Sequence, residues 1–462
     1  MTQGHVAVID VGKTNAKLAL VRLSDLAEVS VVTRPNTVLA GPPYPHFDVD
    51  GHWAFLLEGL SRFGAEHQIE AITVTTHGAA GALIAEDGSL AAPILDYEHT
   101  GPDACARAYD AIRPAFSDTG SPRLAMGLNL GAQIHWQFAT DPGLRDRVAH
   151  VVTYPQFWGY RLTGNLATDV TSLGCHTDLW NPYDGRFSAL PARLGIADRI
   201  APPRKPGDVL GKLSVEVARR TGLSSETPVY CGVHDSNASL LSHLVARDPP
   251  FSVVSTGTWV IAMSVGGTPV ALDPARDTLV NVNAFGDAVP SARFMGGREH
   301  DLLMGEATVD ADEADVLAVL KARHMLLPAM VPETGPFAGA EARWIGGEPQ
   351  DGTGQRTAAV GFYLALVTAR CLALIGHAGS VIVEGPFAQN VPFLTMLSVT
   401  SGSPVIPTES ATGTSQGAAL LVSGRGILNP RMAPHPVLTG ELEKLCRDYA
   451  SDWTAHVAAR HA

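Results

Sequence analysis

Two stretches about half a chain apart share one pattern. Residues 6–20, VAVIDVGKTNAKLAL, and residues 251–265, FSVVSTGTWVIAMSV, each run from an apolar segment through a glycine-containing turn into a second apolar segment. Strand, tight turn, strand is the reading for both, because short apolar runs bounded by turn residues suit buried strands. Repetition at that separation implies two domains of related design. The first stretch also contains Gly12-Lys13-Thr14, the tripeptide that closes a P-loop. A P-loop carries a glycine five positions earlier and a helix straight after, so that backbone N–H groups and a helix N-terminus hold the phosphates. Position 7 is Ala7, and Lys17-Leu18-Ala19-Leu20-Val21 continues as a strand, so the Walker reading fails on both counts.

A chain of 462 residues exceeds what one hydrophobic core usually serves, which agrees with two domains. The formal net charge of −13 argues against a nucleic-acid binder, whose affinity comes from neutralising phosphates with Lys and Arg. An anionic nucleotide would have to be held locally, by backbone amides, a few cations and a metal. The cysteines (Cys105, Cys175, Cys231, Cys371, Cys446) are far apart and form no CxxC pair, so neither a disulfide framework nor a zinc knuckle is indicated and a reducing cytoplasm is expected. No basic segment precedes an apolar one at the N-terminus, and no apolar run reads as long enough to span a bilayer, so neither signal peptide nor membrane partner is expected.

Strand-like and helix-like segments alternate throughout, an α/β pattern. Strands are expected at 5–10, 17–23, 28–34, 70–76, 81–86 and 228–233, and helices at 53–66, 102–115, 131–140, 154–163 and 235–244. Ala246-Arg247-Asp248-Pro249-Pro250 reads as the linker, giving domains at 1–245 and 246–462. In the second half, SVIVEGP (380–386) leads to a helix at 391–401, and GTSQGAALLVSG (413–424) reads as a helix whose small residues permit close approach. The stretch 265–310 yields no elements.

Four constellations can carry chemistry. In Asp10-Val11-Gly12-Lys13-Thr14-Asn15-Ala16-Lys17, glycine permits a tight turn and close approach of an anion, Thr14, Asn15 and Lys17 add donors, and Asp10 can hold a hydrated Mg²⁺. The same octapeptide also reads as an ordinary hairpin with turn residues. Ser255-Thr256-Gly257-Thr258-Trp259 repeats the arrangement; two such loops, one per domain and facing a shared cleft, are the arrangement of actin-like nucleotide-binding folds. In VYCGVHDSNASLL (229–241), Asp235 is either a helix N-cap or a general base at a strand's C-terminal end, where α/β sheets expose their ligand sites. VEGPFAQN (383–390) can offer Asn390 to a flat ring or be a plain strand-to-helix loop.

With these four in order along one chain, the sequence resembles the FGGY family of carbohydrate kinases, on the sugar-kinase branch of the actin-like (ribonuclease H-like) ATPase fold. The resemblance covers nearly the whole chain and is strongest in DVGKTNAK, GVHDSNASL and STGTWVIAMS; His before the Asp and Trp after Gly-Thr look most like the L-rhamnulose and L-fuculose kinases. It implies ATP and Mg²⁺ as cofactors, a small-molecule sugar as partner, and a possible homodimer. It implies Asp235 as general base, with Asp10 and Asp235 near the metal. Gly12, Thr14, Asn15 and Lys17 fall on the first phosphate loop, Thr256, Gly257 and Thr258 on the second, and Gly385 and Asn390 on the adenine side. THGAAG (76–81) and ILDYEH (94–99) stand where the family contacts its sugar, making His77, Gly78, Asp96, Glu98 and His234 candidates, with Gln156 and Trp158 from the helix at 154–163. In AQIHWQ (132–137), Trp136 fits the family pattern and Gln133 replaces its Lys; Glu384 and Pro386 stand where the family usually runs in glycines.

Overall fold

Along β1 (His5–Val11) every side chain but that of Asp10 is buried, the mark of a central strand covered on both faces. In the computed structural model of the chain the described residues are 4–305, 309–408, 413–424, 433–436 and 438–460. They fall into two units. Unit 1 comprises the chain up to Arg247, together with Val280–Ala288 and residues 413–424; unit 2 comprises Asp248–Leu279, Val289 to 408, and the described residues after 432.

In unit 1, β1 pairs antiparallel with β2 (Asn15–Arg22), which pairs antiparallel with β3 (Glu28–Pro35). On its other side β1 runs parallel to β4 (Ile69–Thr76), and the sheet continues through β5 (Val209–Lys212) and β6 (Pro228–Tyr230) in the order β5-β6-β4-β1-β2-β3. The strand expected at 228–233 is broken at Gly232, whose φ is +92° and where a Cβ would come within 2.5 Å of the Val74 carbonyl oxygen. After the break, β7 (Val233–His234) resumes beside the end of β4. The helices that matter for the site are α1 (Val49–Glu66), α2 (Leu130–Thr140), α3 (Tyr154–Thr163), α4 (Val170–Leu173) and α5 (Asp235–Ala246). The helix expected at 102–115 is instead a 3₁₀ turn, Gly101–Cys105, and one short helical stretch, Ala106–Asp110. Pro114 bars the expected run through to 115, since the residue before a proline is pushed out of the helical region.

Unit 2 repeats the wiring. β8 (Phe251–Thr256) pairs antiparallel with β9 (Val260–Val265), and the stretch left without elements contains β10 (Thr278–Val282), β11 (Ala288–Phe294) and a helix at Gly296–Met304. With β12 (Ser380–Glu384) parallel to β8 and β13 (Val405–Pro407) beyond it, the order is β10-β11-β9-β8-β12-β13. Each sheet therefore has a central hairpin whose first strand is flanked by a parallel one, as the repeated motif requires. α6 (Gly354–Leu374) and α7 (Val391–Ser401) follow. α8 (Thr414–Ser423) belongs to unit 1, and α9 (Glu441–Ala458) to unit 2. α6 corrects the expectation of no bilayer-length apolar run: it is long and apolar enough by composition, and 72% of it is buried inside the protein. Burial of most of its surface marks it as a core helix, packed in one cluster with the apolar side chains of β8, β12 and α7. The small residues of α8 do allow close approach: a Cβ on Gly417 would stand 1.9 Å from the Ala238 carbonyl oxygen on α5.

Candidate active site

The β1–β2 turn is held from beneath. Gly12 N–H donates to the Asn15 carbonyl (2.9 Å), Asn36 N–H donates to the Thr14 carbonyl (2.8 Å), and Asn36 Nδ2 donates to the Gly12 carbonyl (2.8 Å). Asn36 Oδ1 in turn meets His52 Nε2 at 2.7 Å, and His52 Nδ1 meets Arg34 at 2.9 Å. Thr14 and Asn15 are left exposed at the tip, their backbone fixed. Asp10 faces the strand-end side, where Thr414 Oγ1 on α8 donates to its Oδ2. Burial raises the Asp10 pKa to about 6; Thr414 and Lys17 oppose this, and the Asp235 carboxylate adds to it. Lys17 lies across the ladder from Asp10 and pairs with Glu28 at 3.0 Å.

Asp235 is the first residue of α5, immediately after β7. Its Oδ1 accepts from Ser236 N–H (2.6 Å) and lies 3.1 Å from His234 Nε2, and its side chain is 30% exposed. Desolvation raises its pKa, against the opposing field of His77 and the Ser236 hydrogen bonds. His234 is placed from behind: its N–H donates to Thr171 Oγ1 on α4 (2.9 Å), and Asp169 Oδ1 caps that helix by accepting from Thr171 N–H (2.8 Å) and Ser172 N–H (3.1 Å). Asn237 Nδ2 donates to His234 Nδ1 (3.2 Å), which leaves the Nε2 proton turned toward Asp235. Gly78 is obligatory beside it, because a Cβ there would sit 2.8 Å from His234 Nε2 and 3.0 Å from Cys175 Sγ.

His77 Nδ1 donates to the Gly78 carbonyl (2.7 Å), so Nε2 carries the lone pair, and that buried atom has no partner. Burial lowers the pKa of both His77 and His234 to about 4, so each is a neutral imidazole at pH 7, able to accept or donate but not to act as a cation. The His77 ring packs against Phe47 (5.0 Å), Tyr97 (5.2 Å) and Tyr154 (5.1 Å). Asp96 and Glu98 arrive with Lys13, which pairs with Asp96, lies 3.1 Å from Glu98 Oε2, and sits 4.8 Å from the centre of the Tyr97 ring. Unit 1 thus brings together Asp10, Gly12, His77, Gly78, Asp96, Glu98, His234 and Asp235.

Two predicted sugar contacts are placed elsewhere. Gln156 is fully buried, with Nε2 donating to the Cys231 carbonyl (2.8 Å) and Oε1 accepting from Thr153 Oγ1, so both ends of its amide are occupied. Trp158 is 0% exposed in the cluster that covers the sheet, a core aromatic. Gln133, where a Lys was expected, donates to the carbonyls of Ala79 (2.6 Å) and Gly127, bracing the loop that carries His77. Lys13 and Thr414 were missed. Lys13 was read only as part of a failed P-loop, and Thr414 contacts Asp10 from 404 positions away, which no local pattern encodes.

In unit 2, Gly257 and Thr258 are exposed at the β8–β9 turn, while Thr256 is buried. Thr256 Oγ1 donates to the Glu384 carbonyl (2.6 Å) and accepts from Phe387 N–H (3.1 Å), tying this turn to the loop after β12. Gly385 lies at that junction. Asn390 Oδ1 caps α7 by accepting from Phe393 N–H (3.0 Å). Gly296-Gly297, also missed, runs beneath the turn: a Cβ on Gly297 would stand 1.9 Å from the Gly257 carbonyl oxygen. A glycine doublet is the signal that marks such an approach.

The donor chemistry fits a hydrated Mg²⁺. No cluster of three or more His, Cys, Asp or Glu placed for a metal occurs among the described residues, whereas two carboxylates, Asp10 and Asp235, lie in each other's field. Mg²⁺ keeps several waters and needs only one or two carboxylates besides phosphate oxygens. Asp10 itself is testable through stability. Its native pKa, about 6, exceeds the usual 3.8, so the folded state binds the proton more tightly; its stabilising contribution is full below 3.8 and is lost as pH rises through about 6. In chelator, Asp10→Asn should therefore gain melting temperature relative to the wild type between about pH 4 and about pH 7. Parallel melting curves across that range would show that Asp10 is not a strained carboxylate.

Residues 5–242 match the model of the FGGY family of carbohydrate kinases, N-terminal domain, and residues 248–430 that of the carbohydrate kinase FGGY, C-terminal domain. The chain is 27% identical over 275 residues to L-fuculokinase of Salmonella typhi, covering 58% of each protein, and 24% identical over 291 residues to rhamnulokinase of Enterobacter sp. (strain 638), covering 60% of this chain and 56% of that one. It therefore spans little more than half the length of the curated relatives it matches. Among solved structures, a carbohydrate kinase from Novosphingobium aromaticivorans superposes with a TM-score of 0.92 at 37% identity, over 100% of both chains. A xylulose kinase from Lactobacillus acidophilus superposes with a TM-score of 0.78 at 15% identity over 99% of both chains, a likeness of fold. With both halves matched in order, this chain belongs to the FGGY family of carbohydrate kinases.

Proposed function

We propose that the protein is an ATP-dependent sugar kinase that transfers the γ-phosphoryl group to a hydroxyl of a ketose, with a 6-deoxyketohexose such as L-fuculose or L-rhamnulose favoured. The carrying observation is Asp235 at the β7–α5 junction, with His234 Nε2 at 3.1 Å and the unpartnered Nε2 of His77 in the same group of side chains. His77 Nε2 accepts a hydrogen bond from a sugar hydroxyl. Asp235 takes the proton of the attacking hydroxyl as its oxygen bonds to the γ-phosphorus, and the bond to the bridging oxygen breaks to release ADP. His234 donates to Asp235 and fixes the carboxylate's orientation. The Gly12–Lys17 turn and the Thr256–Thr258 turn offer donors to the phosphates, with Gly385 and Asn390 on the adenine side. Asp10 and Asp235 would hold Mg²⁺, which supplies charge neutralisation for the phosphates.

The electrostatics favour an uncharged sugar. The ammonium of Lys13, beside the candidate sugar contacts, is already shared by Asp96 and Glu98, so an acidic sugar would meet net negative charge there. Pentuloses and polyols (xylulose, ribulose, erythritol, glycerol) remain substrates of the same chemistry. A catalytically silent sensor on this fold is disfavoured by the retained Asp235. Localisation in the cytoplasm and a homodimer belong to the same proposal. The test is ADP release with MgATP and each of these sugars. One sugar should stimulate release, and its kcat/KM should show an acidic limb above the ordinary carboxylate range, because only ionised Asp235 accepts the proton and burial raises its pKa. Stimulation by none of them would remove the kinase reading for this panel, and an acidic limb at an ordinary carboxylate pKa would remove Asp235 as the desolvated base.

A further inference from the structure

Unit 2 contains a second concavity, built by helices rather than by strand ends. It has a volume of about 1060 Å³ and is walled by α6, the end of α7, α9, the Pro336–Ala338 segment and the turn at Ala275-Arg276. Its floor is apolar: Phe337, Leu366, Val399, Trp453 and Val457 all line it. The space exists because the facing helices present small residues, Ala369 and Ala373 from α6 and Ala450 and Ala458 from α9, where larger ones would close it.

Three guanidinium groups, those of Arg276, Arg370 and Arg447, stand around this floor. Arg447 is neutralised by Glu443 at 2.8 Å. Arg276 and Arg370 have no carboxylate partner within ion-pair distance among the described residues; Arg276 spends only its Nε, on the Pro336 carbonyl at 3.2 Å. Of the carboxylates close by, Asp277 pairs with Arg293 and Asp452 with Arg323, while Asp273, whose Oδ1 accepts from Ala275 N–H, keeps its charge and acts on Arg276. Burial and the nearby charge of Arg370 both lower the pKa of Arg276, so the two cations are felt by each other. Two cations without an ion-pair partner among the described residues, Arg370 exposed and Arg276 partly buried, thus stand beside an apolar hollow where they can meet a counter-charge.

We propose that this concavity binds a small organic anion with an apolar body, its phosphate or carboxylate on Arg276 and Arg370 and its body against Trp453, Phe337 and Val399. The volume is that of sites for drug-sized molecules, and an apolar floor with a few fixed polar groups is their usual composition. α7 joins the site to the nucleotide side: Val399 and Thr400 at one end line the hollow, and Asn390 caps the other end. Occupancy therefore has a rigid element through which to be felt at the loop after β12.

The test is calorimetric titration of the full chain, saturated with MgADP, using phenyl phosphate, benzoate, inorganic phosphate and benzyl alcohol. Phenyl phosphate or benzoate should bind at least about tenfold tighter than both inorganic phosphate and benzyl alcohol, since only the first two use cations and floor together. Arg276→Gln with Arg370→Gln should cost about tenfold or more in that affinity, and Ala373→Phe, which fills the hollow without touching a charge, should abolish binding. Asp235→Asn should leave it unchanged. Wild-type affinity in the Arg variant or in the Phe variant, or no advantage of the aromatic anions, overturns the proposal. So does a concentration-dependent dimer in sedimentation that the double Arg variant loses, which would assign the hollow to a second copy.

Discussion

Asp235→Asn should lower kcat by about 10²–10⁴-fold while leaving nucleotide and sugar affinity within a few-fold of wild type. The substitution is isosteric, and the amide oxygen still accepts from Ser236 N–H and faces His234 Nε2, so β7 and α5 keep their junction. What disappears is the basic lone pair that receives the hydroxyl proton. The variant also removes the negative charge that helps hold up the Asp10 pKa, so the pH dependence of stability should move toward that of Asp10→Asn. Steady-state kinetics with binding by calorimetry decides the matter: turnover within tenfold of wild type would mean that the hydroxyl loses its proton to another group, and Asp235 would be left with the role of first-turn anchor for α5.

Gly385→Ala should be a severely damaging single-methyl change in unit 2. The backbone there lies at φ +83°, ψ −163°, a region essentially reserved for glycine, and a Cβ would stand 2.0 Å from the Thr256 carbonyl oxygen. Strain of that kind costs on the order of 1–3 kcal/mol before the steric clash is counted. Relief requires the loop after β12 to move off the end of β8, which breaks the bonds from Thr256 Oγ1 to Glu384 and from Phe387 N–H to Thr256 Oγ1. ATP affinity should fall more than about tenfold, with sugar binding retained, and chemical denaturation should show a loss of at least about 2 kcal/mol. Wild-type ATP affinity in a destabilised protein would separate the loop's architectural role from nucleotide binding and end the latter assignment.

The fold was legible where the pattern is local. Each hairpin is a run of buried side chains around a glycine turn, so β1–β2 and β8–β9 could be read directly, and their repetition gave two units. His234 and Asp235 were legible as a strand end entering a helix. Three kinds of information were not local. α6 is buried on nearly all sides, so its sequence carries no amphipathic stripe to mark its bounds. Aromatic residues line cores and ligand walls alike, which is why Trp158 was placed with the sugar contacts when it belongs to the core. Lys13 belongs to a tripeptide whose P-loop reading fails, and its charge is spent on Asp96 and Glu98, residues whose proximity only the folded chain supplies.

The hydrogen bond from Thr414 to Asp10 has a consequence for how such a chain is made. The partner of Asp10 lies 404 positions later in the chain, on a helix that packs against α5 and β1. Unit 1 is thus completed only after most of the chain of unit 2 has emerged, and until then its Asp10 carboxylate lacks the hydroxyl that opposes the effect of burial. A nascent chain stalled before α8 can possess both hairpins and the Asp235 junction, but its Asp10 awaits a segment that the ribosome has not yet delivered.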